Sequence, residues 1–171
     1  MTHNGPVVTK ANEMDLDGIL ELQALNQVER GGLLASSLPA ERILTMMREM
    51  PLIVARRDKH VTGFLLTATR YMNADFPLVK AMLKAYPGSP DAYIYGPICV
   101  CKEERGHGLA QEMFAHLCRL EAGREGMLFI RRDNEASLHA HLKMGMQEVA
   151  TFLHEGHEFA VFSFRGCLDT E

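Results

Sequence analysis

The sequence predicts a mixed α/β (α+β) domain, with one largely antiparallel, twisted sheet of six to seven strands flanked by about four helices. Three observations carry this. Apolar residues recur at helical spacing in some segments and at strand spacing in others, in the order strand, two helices, several strands, helix, strand, helix, two strands. Short polar turns at Arg57–His60 and Glu155–Gly156 join neighbouring strands into hairpins. A strand around Ile98 runs through a glycine-containing turn into the clearest amphipathic helix of the chain. The 171 residues suffice for one domain at roughly 150 residues per domain, so 1–171 is read as a single unit.

The elements follow in order. Pro6–Lys10 is short and β-branched, a first strand. Met14–Asn26 places Leu16, Ile19, Leu20, Leu22 and Leu25 at helical spacing, with Asp15 or Asp17 as its cap. Gln27–Ser37 contains Gly31-Gly32 and reads as a loop. Pro39 opens a second helix, which runs to Glu49 and ends before Pro51. Leu52–Arg56 and Val61–Thr69 form the first hairpin. Pro77–Tyr86 is a short helix closed by Pro87-Gly88, and Tyr93–Cys101 is a strand interrupted by Gly96-Pro97. Leu109–Ala122 carries the stripe Leu109, Met113, Leu117 and Leu120, widened by Phe114 and Cys118, with Gly123 as its C-terminal cap. Met127–Arg131 is a strand, Asn134–Met144 a helix ended by Gly145, and Glu148–His154 with His157–Phe164 the last hairpin. Gln27–Ser37 and Tyr71–Pro90 are the segments expected to be mobile or to face a substrate.

Composition excludes several functions. A net charge of -4, with no basic cluster longer than Arg56-Arg57 or Arg131-Arg132, argues against nucleic acid. No apolar run approaches the ~20 residues of a membrane span. The start of the chain lacks the pattern of a secretory signal, and the expected location is the cytoplasm. The cysteines, Cys99, Cys101, Cys118 and Cys167, contain no CxxC pair and read as reduced thiols, with Cys99 and Cys101 on one side of a strand. His139 and His141 are two apart on a helix, and His154 and His157 flank a turn, so no metal is expected. Glu29 and Tyr93 are candidate substrate contacts, although solvated surface charge is the better reading of Glu29.

The chemistry concentrates at Arg105-Gly106-His107-Gly108-Leu109-Ala110, where a helix begins. A helix N-terminus leaves backbone N–H groups unpaired and carries partial positive charge, which suits phosphate oxygens. Glycine lets the backbone approach an anion where a Cβ would intrude. Taken alone, the two glycines fit a tight strand-to-helix turn just as well. The loop is neither a P-loop, since no Lys-Ser/Thr follows, nor the GxGxxG dinucleotide fingerprint.

Arg105-x-x-Gly108-x-Ala110 resembles the Arg/Gln-x-x-Gly-x-Gly/Ala signature of the GNAT superfamily of acetyl-CoA-dependent N-acetyltransferases. Downstream, Asn134-Glu-Ala-Ser137 with His141-Leu-Lys-Met-Gly145-Met146 resembles the family's Asn-x-x-Ser/Ala…Tyr-x-x-x-Gly-Phe helix. The resemblance implies that acetyl-CoA is the co-substrate. The main chain of Ile98, Cys99 and Val100 would pair with its pantetheine arm, and the amides of Arg105, Gly106, His107, Gly108, Leu109 and Ala110 would hold its pyrophosphate. Asn134 would bond the pantetheine, and a backbone amide near Val100 would stabilise the oxyanion. The activity implied is direct attack, in a ternary complex, by a primary amine of a small molecule, amino acid derivative or peptide. A homodimer is plausible from the family.

Two departures matter. The family's usual acid is a Tyr four residues before the glycine of the second motif, and this chain has His141 there. Some members carry a Glu base ten residues before the signature Arg, and this chain has Tyr95. His141 and Tyr95 are therefore the candidate catalytic residues, His141 as the acid; a tyrosine is a poor base at neutral pH unless strongly shifted, so water-mediated deprotonation of the amine is the expectation. The departures also keep open a catalytically silent acyl-CoA-binding module.

Overall fold

A computed structural model describes residues 5–26 and 37–166. Its strands are β1 (Val7–Lys10), β2 (Ile53–Arg57), β3 (His60–Thr69), β4 (Tyr93–Val100), β5 (Glu125–Arg131), β6 (Gln147–His154) and β7 (His157–Arg165). Its α-helices are α1 (Leu16–Leu25), α2 (Ala40–Glu49), α3 (Pro77–Ala85), α4 (Leu109–Leu120) and α5 (Glu135–Lys143). The strands form one sheet in the order β1-β2-β3-β4-β5-β7-β6. The pairings β1–β2, β2–β3, β5–β7 and β6–β7 are antiparallel, and β4–β5 is parallel, matching Tyr93 with Gly126 and Ile94 with Met127. The mixed α/β class and the mainly antiparallel sheet are as the sequence predicts, with five α-helices among the described residues.

The chain falls into two compact units. The first takes Met1–Thr67 and Gly96–Leu120, of which the described residues hold α1, α2 and α4. On α4 the stripe Leu109, Met113 and Leu117 is buried with Phe114 and Cys118, as its periodicity predicts, while Leu120 in the last turn is 46% exposed. On α1 the buried face is Ile19, Leu22 and Gln23, and Leu25 turns outward. Gln23 is tolerated inside because its amide donates to the Leu38 carbonyl at 2.9 Å and accepts the Leu38 N–H at 3.0 Å.

The start of α1 differs from expectation. Asp15, one of the two expected caps, holds the N-cap position of α1 but makes no side-chain capping bond there, and the side-chain cap falls at Asn12, before a 3-10 turn at Glu13–Asp15 that precedes the helix. The Asn12 side chain accepts the Met14 N–H, and the Asp15 carboxylate accepts the Asn12 N–H, each at 2.9 Å. Asp15 also takes a forked pair of bonds from Arg56 at the end of β2. Cys101, expected in the strand, instead precedes a 3-10 turn at Lys102–Glu104, and its N–H donates to the Thr62 carbonyl at 2.8 Å.

The second unit takes Ala68–Tyr95 and Glu121–Glu171. Here β5 starts two residues before the expected Met127, because Glu125 and Gly126 pair with Arg165 and Phe164 of β7. Glu125 is 2% exposed, yet it stays charged. Burial alone would raise its pKa, but bonds from the Ser163 hydroxyl, the Tyr86 hydroxyl at 2.6 Å and the Ser89 N–H at 2.7 Å outweigh that and hold it at about 2. Arg70 donates to the carbonyls of Pro87 at 3.0 Å and Ser89 at 2.8 Å. The stretch Tyr71–Pro90 is thus fastened at its C-terminal end. No described helix is long and apolar enough to cross a membrane.

Candidate active site

In the first unit, β4 leads through the Lys102–Glu104 turn to the glycine loop and α4. Gly106 and Gly108 have φ of +83° and +78°, in the left-handed region that glycine enters without penalty. A Cβ built on Gly106 would meet nothing within 4 Å, and one on Gly108 only the Gln111 Oε1 at 3.8 Å. The loop therefore needs glycine for its backbone, and the space above it is open. The bond from the Glu112 N–H to the Gly108 carbonyl, 3.1 Å, starts the helical ladder. The N–H groups of Leu109, Ala110 and Gln111 accordingly point out of the helix start without an intrahelical acceptor. Leu109 is buried and anchors the helix start, while His107 is exposed with its Nδ1 3.3 Å from the Glu104 carbonyl.

The Arg105 side chain turns back on the protein. Its Nε donates to the Val100 carbonyl at 3.0 Å and an Nη to the Asn26 Oδ1 at 2.7 Å. It fixes the end of β4 and the end of α1 around the loop. Asn26 is missed by sequence reasoning, since nothing local links positions 26 and 105. Ile98 and Val100 are partly exposed, and Cys99 between them is buried. Burial pushes the Cys99 thiol up to about 12, so it is no nucleophile. Among the described residues, no group of three His, Cys, Asp or Glu is placed to hold a metal ion.

In the second unit the two departures from the family pattern meet. The Tyr95 hydroxyl lies 2.9 Å from His141 Nε2, and their rings pack edge to face at 5.4 Å. The other ring nitrogen, Nδ1, lies 2.7 Å from the Ser137 carbonyl, one turn back along α5. A carbonyl can only accept, so Nδ1 carries the proton. Burial lowers the pKa of His141, partly opposed by the Ser137 bond, and keeps the ring neutral at neutral pH. Nε2 then holds a lone pair and accepts from Tyr95. In this resting state His141 is a hydrogen-bond acceptor at Nε2.

Ser137 holds the tautomer and is missed by sequence reasoning, although its spacing to His141, i to i+4 on a helix, is a legible signal. Asn134 caps α5, its Oδ1 accepting the Ser137 N–H at 3.2 Å, so its amide N–H groups are what it can offer a ligand. Tyr93, expected to touch substrate, is wholly buried, edge to face with Phe164 and beneath the Arg124 guanidinium. It presents no surface to a substrate. Glu29 lies outside the described residues.

No curated protein matches the chain. Solved structures share its fold. An N-acetyltransferase from Staphylococcus aureus Mu50 is 18% identical with a TM-score of 0.68, over 94% of this chain and 98% of that one. YncA, a putative acetyltransferase from Salmonella typhimurium solved with its cofactor acetyl-CoA, is 14% identical with a TM-score of 0.65, over 96% and 98%. A phosphinothricin acetyltransferase from Sinorhizobium meliloti, in complex with acetyl-CoA, is 16% identical with a TM-score of 0.67, over 95% and 89%. The family model of the GNAT acetyltransferases matches residues 22–146, which take in the glycine loop, Tyr95 and His141, and the chain belongs to the GNAT acetyltransferase family.

Proposed function

We propose that the chain transfers an acetyl group from acetyl-CoA to a primary amine of a small molecule, amino acid derivative or peptide, by direct attack in a ternary complex. The observation that carries this is the open, positive-φ glycine loop at the start of α4, where the first N–H groups of the helix lack intrahelical acceptors. Those N–H groups would hold the pyrophosphate, and the main chain of Ile98–Val100 and the Asn134 amide would hold the pantetheine. The acyl donor supplies an activated carbonyl and a leaving thiolate. The Salmonella and Sinorhizobium structures contain acetyl-CoA, and an Arabidopsis thaliana Naa50 of the same fold (13% identity, TM-score 0.67) is bound to the bisubstrate analogue CoA-Ac-MVNAL.

Tyr95 and His141 form the proton path. As the amine attacks, a water molecule carries its N–H proton to the Tyr95 oxygen, since Tyr95 is only 3% exposed, while the Tyr95 proton moves to His141 Nε2. The resulting imidazolium is held by the Ser137 carbonyl at Nδ1. The same two groups return a proton outward to the leaving sulfur, so the pair ends as it began. A neutral His141 is the form this path requires, and burial supplies it.

A thermal-shift titration with acetyl-CoA, followed by a thiol-release assay over small-molecule and peptide amines, tests the assignment. Stabilisation with amine-dependent thiol release is the expected result. Stabilisation without release across the panel would make the chain an acyl-CoA-binding module, and no stabilisation at millimolar acetyl-CoA would remove the loop assignment.

A further inference from the structure

The turn that enters the glycine loop carries two adjacent carboxylates, Glu103 and Glu104, directly before Arg105 and Gly106. An anion site approached through two acidic residues opposes its own ligand unless their charge is answered. Glu103 is exposed and screened by solvent. Glu104 is only 7% exposed, so water screens it far less. Its partner comes from the far end of β2. Arg57 donates Nε to Glu104 Oε2 at 2.7 Å and an Nη to Oε1 at 3.0 Å, the two-pronged geometry in which guanidinium and carboxylate match. The Arg57 bond holds the Glu104 carboxyl below its usual range, so the pair is ionised. Arg105, next in the chain, is spent on Val100 and Asn26 and does not make this pair.

We propose that Arg57 is a positioning residue for the acyl donor, acting through Glu104 on the phosphate loop. It pins the Lys102–Glu104 turn, from which the backbone enters Gly106 and Gly108. It also cancels a buried negative charge two residues from the glycine where the phosphates would lie. This rests on the reading of the loop as a pyrophosphate site. A brace serving stability alone would explain the ion pair equally at first sight, but the two roles separate when the charge is removed in steps.

The experiment measures acetyl-CoA affinity by calorimetry for the parent, Arg57→Met, Arg57→Lys, Glu104→Gln and the double variant Arg57→Met/Glu104→Gln, with unliganded melting temperatures beside them. Arg57→Met leaves Glu104 charged and alone, and should weaken binding roughly tenfold in low salt, with the deficit shrinking as salt screens the repulsion. In turnover the loss should fall on KM for acetyl-CoA rather than on kcat. Arg57→Lys keeps the charge without the fork and should recover part of the affinity. The discriminating variant is the double one. It should bind more tightly than Arg57→Met, because the repelling carboxylate is gone. A purely structural brace predicts an affinity loss that follows the unliganded melting temperature and does not shrink with added salt. That result overturns the proposal, as does parental affinity in Arg57→Met. A parent that fails to bind acetyl-CoA instead overturns the reading of the loop itself, which the first titration shows before any variant is compared.

Discussion

Gly108→Ala tests the phosphate loop most directly, because the structure separates its effect on the fold from its effect on the ligand. The added Cβ would lie 3.8 Å from the Gln111 Oε1, an ordinary contact, so crowding in the free protein is negligible. The cost comes from the backbone. Gly108 has φ +78°, and an L-residue held in the left-handed region loses about 1–2 kcal/mol. For a chain of this size, 1 kcal/mol moves the melting temperature by about 2–4 °C, so the variant should melt about 2–8 °C below the parent. Valine, branched at Cβ, would add strain and confuse unfolding with loss of binding. Acetyl-CoA at about 100 times its dissociation constant should add about 2.7 kcal/mol to the parent, a rise of about 5–11 °C on the same scale. In Gly108→Ala that rise should vanish, since the reading of the loop brings the phosphates close to the backbone at Gly108, where a methyl group would intrude. Gly123→Ala is the matched control. Gly123 has φ +79°, a Cβ added there would meet nothing within 4 Å, and the residue lies beyond the other end of α4. It should show the backbone cost and keep the full ligand shift. Retention of that shift in Gly108→Ala, or its loss in Gly123→Ala, would refute the placing of the phosphates at this loop.

The other predictions concern the proton path and the buried titratable groups. His141→Phe should lower kcat by about 10²-fold, the lower end of general acid–base contributions, with acetyl-CoA affinity little changed. Tyr95→Phe should do the same, and the double variant should be no worse than either, because the two act as one path. Additive losses in a kinetic cycle would separate them. Since His141 must be neutral and burial depresses its pKa, its ionisation should enter kcat/KM only on the acid side, below the ordinary ~6.5 of histidine, beneath the rise that deprotonation of the amine substrate gives at higher pH. A limb above ~6.5 that disappears in His141→Phe would contradict the assignment. Glu125, held at about 2 against an ordinary 4.5, contributes stability that is present above pH 4.5 and lost as pH falls toward 2. That contribution is up to about 3 kcal/mol. Glu125→Gln should flatten this acid dependence and lower the melting temperature at neutral pH, as acid-to-neutral calorimetry would show. Cys99, raised to about 12 and buried, should resist iodoacetamide at pH 8 in the folded protein, and its rapid alkylation, read by mass spectrometry, would contradict that.

Much of this protein follows from interactions within a few residues of chain, and those are legible in the sequence. The α4 stripe of Leu109, Met113 and Leu117 is set by helical periodicity. The left-handed turns at Gly106 and Gly108 are set by the absence of a Cβ. The β6–β7 hairpin turns at Glu155-Gly156, as predicted, with both residues at positive φ. Where a choice depends on groups distant in sequence, local pattern misleads or falls silent. Leu25 and Gln23 exchange their expected places because Leu38, fifteen residues on, offers Gln23 both a donor and an acceptor. Tyr93 reads in the sequence as a substrate contact, but Phe164 and Arg124 enclose it. Sequence names Tyr95 and His141 one at a time, each as a departure from a pattern. That they bond across 46 positions, and that Ser137 turns the imidazole so its lone pair faces the phenol, is decided by the tertiary fold. The direction of a proton depends on which atom faces which, and side chains so far apart in the chain acquire that relation only when the backbone between them has folded.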